Sequence, residues 1–459
     1  MVPAYISVMN EDDPPRDDRA RYRAVPSSRA ARIGVFGKLA GGVAGNLIGE
    51  GARRLSRGER PRMREMLLTP ANATSVAKQL SHLRGAAMKM GQMISMDAGE
   101  MLPPELGAIL ATLREQAHRM PPRQLRDVLD GEWGEGWRAR FAKFNATPIA
   151  AASIGQVHRA TQHDGRELAI KVQYPGVRES IDSDVDNVTT LLRVSGLLPK
   201  ELDLAPLLAE AKRQLHEEAD YEREAAQMAR YAALLEDDER YLVPLPHAEL
   251  TTARVLAMDF VAGKPIEALD EEPQDVRDRT MSSLIELVAH ELFDWRVMQT
   301  DPNFANYRYR PETGQLVLLD FGATRDIEPW VAEGYRSLVA TGLAQDVDAA
   351  RRAAVDVGFI GPGALEKHRP LIDRMIGIVV REMNREGPFD FGDRAFLSVL
   401  REQGMQMAAD RATWHVPPVE TLFAQRKISG TALLAARFDA KVDVRGIVRP
   451  YVDGRAEAV

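Results

Sequence analysis

Residues 299–322 read Gln-Thr-Asp-Pro-Asn-Phe-Ala-Asn-Tyr-Arg-Tyr-Arg-Pro-Glu-Thr-Gly-Gln-Leu-Val-Leu-Leu-Asp-Phe-Gly. Asp301 and Asn306 stand five apart on a turn-rich stretch. A turn centred on Gly314 follows, then an expected apolar strand over Leu316–Leu319, then Asp320-Phe321-Gly322. The spacing has a chemical logic. One carboxylate, Asp301, can face an attacking group. A second, Asp320, and the Asn306 amide can hold Mg²⁺ against phosphate oxygens. A surface Asp-Pro turn before an ordinary strand would carry the same residues without chemistry. The register of the upstream pair with the downstream triplet favours the chemical reading.

This D-x-x-x-x-N before D-F-G is the layout of the phosphoryl-transfer loop in protein kinases. Working upstream, Ala150-Ala151-Ala152-Ser153-Ile154-Gly155-Gln156-Val157 occupies the place of a G-x-G-x-x-G-x-V nucleotide loop. Gly155 and Val157 match; Ala150 and Ala152 replace the first two glycines. Glycines let backbone N–H groups close on phosphates, so alanines should stiffen the loop. A tight small-residue turn is the plainer alternative. It loses ground because Leu168-Ala169-Ile170-Lys171 follows, matching V-A-I-K, whose lysine contacts the α/β-phosphates. Residues 176–200 read as irregular and acidic, and residues 205–236 as one long helix. That helix holds Glu218-Ala219-Asp220 and Glu224, and a carboxylate there can pair with Lys171. Strands are expected over 241–262. Val255–Gly263 has the form of a hinge between lobes, with Asp259 and Val261 at its nucleotide-facing positions. Residues 275–298 read as an amphipathic helix leading into the catalytic stretch.

Downstream of Gly322 there is no A-P-E motif, and the remainder reads as mostly helical. A second Asp390-Phe391-Gly392 lacks the upstream pair, and Pro388 breaks the strand that should precede it. Pro417-Pro418 through Arg426-Lys427 shows no catalytic logic of its own.

Bulk properties narrow the function. The 459 residues suit several lobes, and a net charge of −7 argues against nucleic acid as a partner. With no cysteine, disulfides, thiolate metal sites and cysteine nucleophiles are excluded. The N-terminus lacks a signal-peptide pattern, and Glu11-Asp12-Asp13 argues against a transit peptide. Residues 1–30 read as disordered. Residues 31–60 are basic around a small-residue apolar segment in which Gly37, Gly41, Gly45 and Gly49 form one helical ridge. Too short and polar to span a bilayer, the segment reads either as a membrane-surface anchor favouring anionic lipid or as a linker or packed helix. As an anchor, its ridge would serve self-association, which leaves a homodimer open. Residues 73–97 read as a helix ending in Lys89-Met90-Gly91-Gln92. Further helices over 105–145 end in Trp- and Phe-rich packing.

Together these residues resemble the UbiB, or aarF-domain-containing, family of atypical kinase-like proteins, over about residues 30–455. The match rests on K-x-G-Q at Lys89–Gln92, the alanine loop Ala150–Ser153, E-x-D at Glu218–Asp220, Asp301 to Asn306, Asp320–Gly322, and Pro417-Pro418 to Arg426-Lys427. Gln299 and Asn303 stand where many bacterial members carry His, which brings the chain nearer the mitochondrial branch. The resemblance implies an α+β, two-lobed protein-kinase-like fold. It would comprise a helical K-x-G-Q extension (61–145), an N-lobe (146–263) and a mostly helical C-lobe (264–459). It implies ATP and Mg²⁺ as cofactors and ATPase activity serving ubiquinone biosynthesis. Quinone precursors, membrane lipid and ubiquinone-biosynthesis proteins would be the partners. For a bacterial chain the expected place is cytoplasmic, peripheral at the inner membrane. By carry-over, Lys171 contacts phosphates and Glu224 pairs with it. Glu218 and Asp220 meet Lys89 and Gln92, and Asp301 is catalytic. A nucleotide-binding scaffold without turnover, and a kinase for a small molecule or protein, stand as alternatives.

Overall fold

The computed structural model describes residues 119–194, 205–393, 395–408, 410, 415 and 417–453. The tail, the Gly37–Gly49 ridge, the expected 73–97 helix, Lys89 and Gln92 lie outside these residues. The described chain divides into two compact units. Unit 1 holds its residues up to Arg230 together with Pro244–Phe260; unit 2 holds Tyr231–Val243 and everything from Val261 onward. The chain passes between the units three times, at Arg230/Tyr231, Val243/Pro244 and Phe260/Val261. The architecture is α+β, as the sequence implies.

Unit 1 opens with helix α1 (Pro122–Trp133). Proline at the first helical position suits its missing N–H, and Leu125, Leu129 and Trp133 bury one stripe at a spacing of four. Gly134, at φ 81°, ends the helix. Trp133, Trp137, Phe141 and Phe144 then pack ring on ring, as the sequence suggests. The sheet follows: β1 (Lys143–Phe144), β2 (Ala150–Ala151), β3 (Gly155–Thr161) and β4 (Glu167–Gln173). The chain later gives β5 (Tyr241–Leu242) to unit 2 and returns with β6 (Val255–Asp259), completing the order β1-β3-β4-β6 with β2 on β3. The strands expected over 241–262 are these two, one in each unit. Strand β4 is central, and every residue from Leu168 to Gln173 is buried.

Two expectations for this unit are corrected. The described part of the 176–200 stretch is not irregular: Val177–Val194 is helix α2. Its acids hid an apolar stripe of Val177, Ile181 and Val185, each at most 1% exposed, and Asp184 is buried, accepting from Ser180 Oγ at 2.9 Å. Residues 205–236 are not one helix but two, α3 (Ala205–Glu218) and α4 (Tyr221–Leu234). Asp220 breaks them apart because its carboxylate caps the second helix, accepting Arg223 N–H at 3.1 Å.

Unit 2 is built around helix α5 (Gln274–Ala289). The helix does not run to 298 as expected. It widens into a π turn, His290–Asp294, and Arg296 at φ 50° then turns the chain into β8 (Val297–Gln299). Strands β9 (Tyr307–Arg310) and β10 (Gln315–Leu318) form a hairpin closed at Gly314, φ 73°, where the sequence placed the turn. With β5 and β7 (Lys264–Pro265) they make a sheet of order β5-β10-β9-β7. Strand β11 (Thr324–Asp326) pairs with β8, setting Thr324 opposite Gln299. The helices α6 (Pro329–Leu343), α7 (Val347–Asp356), α8 (Pro362–Met383), α9 (Ala395–Ala408), α10 (Val419–Arg437) and α11 (Val444–Val452) complete a mostly helical remainder. Val288, Leu292, Met298, Val331 and Ala424 share one core, which packs α6 and α10 against the segment leading to Asp301. The second Asp390-Phe391-Gly392 begins where a short strand, β12 (Phe389–Asp390), ends; that strand pairs with β13 (Lys441–Val442).

Candidate active site

In unit 1, β4 carries Lys171 and the first turn of α4 carries Glu224. Lys171 Nζ donates to both carboxylate oxygens of Glu224, at 2.7 and 3.0 Å. Lys171 is 7% exposed and Glu224 fully buried. The break at Asp220 creates this arrangement, because it starts α4 where Glu224 falls near a helix N-terminus, which favours a negative charge. Lys171 also stands 5.1 Å from the Tyr221 ring centroid.

The alanine loop is a hairpin beside that pair. Ala150 pairs with Val157 and Ala151 with Gln156, and Ala152 N–H donates to the Gly155 carbonyl at 2.9 Å, spanning Ser153. Neither Ala150 nor Ala152 adopts positive φ, so backbone conformation does not demand glycine there. Gly155 is required for space: a Cβ would stand 2.5 Å from the Val172 carbonyl oxygen. Asp259, at the end of β6, is bound through its carboxylate to His247 Nε2 at 2.8 Å. Glu218, buried, closes α3, and Asp220 caps α4. Their expected partners Lys89 and Gln92 lie outside the described residues. Val261 begins the second segment of unit 2.

In unit 2 the loop from β8 to β9 carries Asp301 and Asn306. Asn303 accepts Ala305 N–H and starts a 3-10 turn, Phe304–Asn306. Asn306 donates its side-chain amide to the Asp301 carbonyl at 3.1 Å and accepts Leu319 N–H on its own carbonyl at 3.0 Å. Those two bonds tie Asp301, Asn306 and the residue before Asp320 together. Asp320 Oδ1 accepts Gly322 N–H at 3.1 Å, and the Phe321 ring packs on Tyr231 at 4.8 Å. Asn306 and Asp320 line one small cavity, of about 10 Å³. A carboxylate and an amide are hard oxygen ligands, and Mg²⁺ takes one or two such protein groups and completes its shell with phosphate and water. The residues present fit that ion.

The same cavity is lined by Glu291, from the π turn, which sequence reasoning missed, and by Lys427, from α10, which it named only within the Arg426-Lys427 pattern and gave no role. Lys427 Nζ lies 3.5 Å from Glu291 Oε2 and donates to Tyr307 Oη at 2.9 Å. Burial alone would lower the Lys427 ammonium, but Glu291 and Tyr307 outweigh it and hold its pKa above the ordinary value. Tyr231 Oη donates to Glu291 Oε1 at 2.7 Å; burial, then the Glu291 charge, pushes its pKa well up, so it stays a donor. A signal for Lys427 did exist. It interrupts an otherwise apolar stripe, Phe423, Ala424, Gly430 and Leu434, on α10.

Residues 112–354 match the family model described as the ABC1 atypical kinase-like domain. The chain is 35% identical to the Saccharomyces cerevisiae protein named atypical kinase COQ8, mitochondrial, over 95% of its own length and 87% of the relative's. It is 37% identical to the Caenorhabditis elegans atypical kinase coq-8, mitochondrial, over 94% of its own length, and spans 58% of that longer chain. A solved structure of Mycobacterium tuberculosis Rv3197 in complex with erythromycin is 27% identical, with a TM-score of 0.58, and covers 83% of this chain and 95% of its own.

Proposed function

The chain belongs to the ABC1 atypical kinase-like family, and from that premise we propose that it binds ATP with Mg²⁺ and hydrolyses it, in support of ubiquinone biosynthesis at a membrane surface. The observation that carries the reading is the pairing of Lys171 with Glu224 at 2.7 Å, out of water on the buried side of a sheet. A buried ion pair is a costly way to stabilise a fold, so a further use for the ammonium explains it better than packing does.

In this reading Lys171, oriented by Glu224, receives the α/β-phosphates as a fixed point charge. The hairpin of Ala150, Ala151, Ala152, Ser153, Gly155 and Val157 lies along them, and the segment of Asp259 and Val261 meets the base. Asp320 and Asn306 hold the metal. Bound Mg²⁺ supplies charge neutralisation at the phosphate oxygens. Asp301 orients the attacking water, and its carboxylate takes up the proton. Glu218 and Asp220 receive Lys89 and Gln92, which closes the site to a peptide acceptor. The Gly37–Gly49 segment docks the protein on anionic lipid; among the described residues no helix is long and apolar enough to cross a membrane.

Phosphate release by the purified protein, with and without vesicles containing anionic lipid, tests the reading. Mg²⁺-dependent turnover that rises with lipid is expected, and no turnover under either condition would leave only a nucleotide-binding scaffold. A chain beginning near Pro61 should float less with the vesicles than the full chain. Deletion of the gene should lower cellular ubiquinone, and unchanged ubiquinone and precursors would remove the biosynthetic part.

A further inference from the structure

The loop that carries Asp301 and Asn306 has little regular structure of its own. Between β8 and β9 there is one 3-10 turn, Phe304–Asn306. Something else must hold the loop still, because groups that act on phosphate have to be placed to a fraction of an ångström.

Helix α10 and the π turn meet that need from outside the loop. Gln299 stands two positions before Asp301. Its backbone N–H donates to Glu291 Oε1 at 3.1 Å, and its side-chain oxygen lies 3.4 Å from Lys427 Nζ. Tyr307 follows Asn306 directly, and its hydroxyl accepts from the same Lys427 Nζ at 2.9 Å. Between these ends lies Pro302, next to Asp301. It sits against Gly430 so closely that a Cβ on Gly430 would overlap the proline ring. Gly430 and Lys427 are three apart on α10 and share its face. One ammonium thus grips both ends of the loop, and one glycine seats its middle.

We propose that Lys427 and Glu291 are positioning residues for the Asp301–Asn306 loop, with α10 as its external brace. A neutral pair of similar size would fill the same space with less desolvation cost, so packing alone does not account for two charges here. Position does account for them. The ion pair reaches two residues eight apart in sequence through directional hydrogen bonds, which apolar side chains cannot do. Glu291 and Lys427 also line the cavity that Asn306 and Asp320 line, so a shift of the brace is felt at the candidate metal ligands.

The inference rests on the Mg·ATP reading only for its purpose, and the test separates the two. The Glu291→Gln/Lys427→Met double variant removes both charges while leaving an oxygen for Tyr231 and the Gln299 N–H. Tyr307→Phe removes only the hydroxyl that Lys427 grips, and keeps the ring. Hydrogen exchange over residues 299–307 is measured in the nucleotide-free protein. Stabilisation by ADP is measured across a Mg²⁺ titration. The double variant is expected to remain folded, with exchange in 299–307 faster by about tenfold, the effect of losing a buried hydrogen bond of ordinary strength. Its Mg²⁺ requirement should rise, and its turnover should fall by on the order of ten- to a hundredfold. Tyr307→Phe should shift exchange in the same direction, by less. If the double variant does not fold, Tyr307→Phe decides. Parental exchange over 299–307 in a folded variant, together with a parental Mg²⁺ requirement, would overturn the brace. A parent chain that ADP does not stabilise at any Mg²⁺ concentration would instead overturn the nucleotide reading, and the exchange measurement would still judge the brace.

Discussion

Lys171 donates to both oxygens of Glu224 from a strand position 53 residues away in sequence. Both groups are out of water, so removing one partner strands the other. Glu224→Gln alone should destabilise the protein by about 3–5 kcal/mol, the usual cost of an uncompensated buried charge. The double variant Lys171→Met/Glu224→Gln should recover most of that stability and still fail to bind ATP. Chemical unfolding and nucleotide titration, run side by side, check this. A double variant that regains ATP affinity along with stability would show that the pair only packs.

Asp320 makes two demands that one substitution separates. Its Oδ1 accepts Gly322 N–H, which an asparagine oxygen can also do. The anionic charge that attracts Mg²⁺ is lost in Asp320→Asn. The variant should therefore fold normally and lose Mg²⁺-dependent stabilisation by ATP. Thermal shifts with ATP, in Mg²⁺ and in chelator, give the comparison, and a shift equal to the parent's in Mg²⁺ would take Asp320 out of the metal site.

The contrast between these residues and Lys427 shows what could be read from the chain. Asp301 and Asn306 precede, and Asp320 follows, the one short hairpin of β9 and β10, so their spacing and the Gly314 turn nearly determine their proximity. Lys171 was marked by the apolar strand around it. Lys427 and Glu291 are far apart in sequence, and a lone lysine on a helix ordinarily faces water. The family pattern Pro417-Pro418 to Arg426-Lys427 named it without a role, and its place inside an apolar stripe was the physical mark it carried. The acidic stretch at 176–200 misled for the opposite reason. Its charges are conspicuous, while the Val177, Ile181, Val185 stripe that makes it a helix is sparse. At Asp220 the error was local, because an aspartate within a helical pattern is also a good N-cap.

The alanine hairpin and Gly155 should respond differently to substitution. Ala150 and Ala152 have ordinary φ, so Ala150→Gly and Ala152→Gly should fold, with a looser loop and altered ATP and ADP affinities. Gly155→Ala pushes a methyl group into the Val172 carbonyl and should cost about 1–3 kcal/mol. Nucleotide affinities and unfolding curves for the three single variants settle the point. If both glycine variants bind and turn over like the parent, the alanines are turn filler.

His158 gives unit 1 a defined acid sensitivity. Its ring is fully buried and stacked on Phe144, at 5.5 Å. Asn145 O lies 2.9 Å from Nδ1, and Gln156 Nε2 lies 2.9 Å from Nε2. Gln156 uses its oxygen to accept Met120 N–H at 2.8 Å, so its amide N–H faces the ring. That chain of bonds calls for a neutral imidazole with its proton on Nδ1, because a second proton on Nε2 would meet another donor. Burial pushes the His158 pKa down to about 4, against the opposing pull of the Asn145 carbonyl. The folded value lies below the ordinary one of 6.5, so the unfolded chain takes up the proton first. The stability from this group is complete above pH 6.5 and is lost as the pH falls towards about 4, by about 3 kcal/mol. His158→Gln cannot titrate. Its stability near neutrality should be lower, through lost ring packing, but the slope of stability against pH between 6.5 and 4 should be shallower than the parent's. Unfolding midpoints across that range, with the imidazole titration followed by NMR, provide the measurement. An unchanged slope, or a His158 resonance that titrates near 6.5 in the folded protein, would show that water reaches the ring.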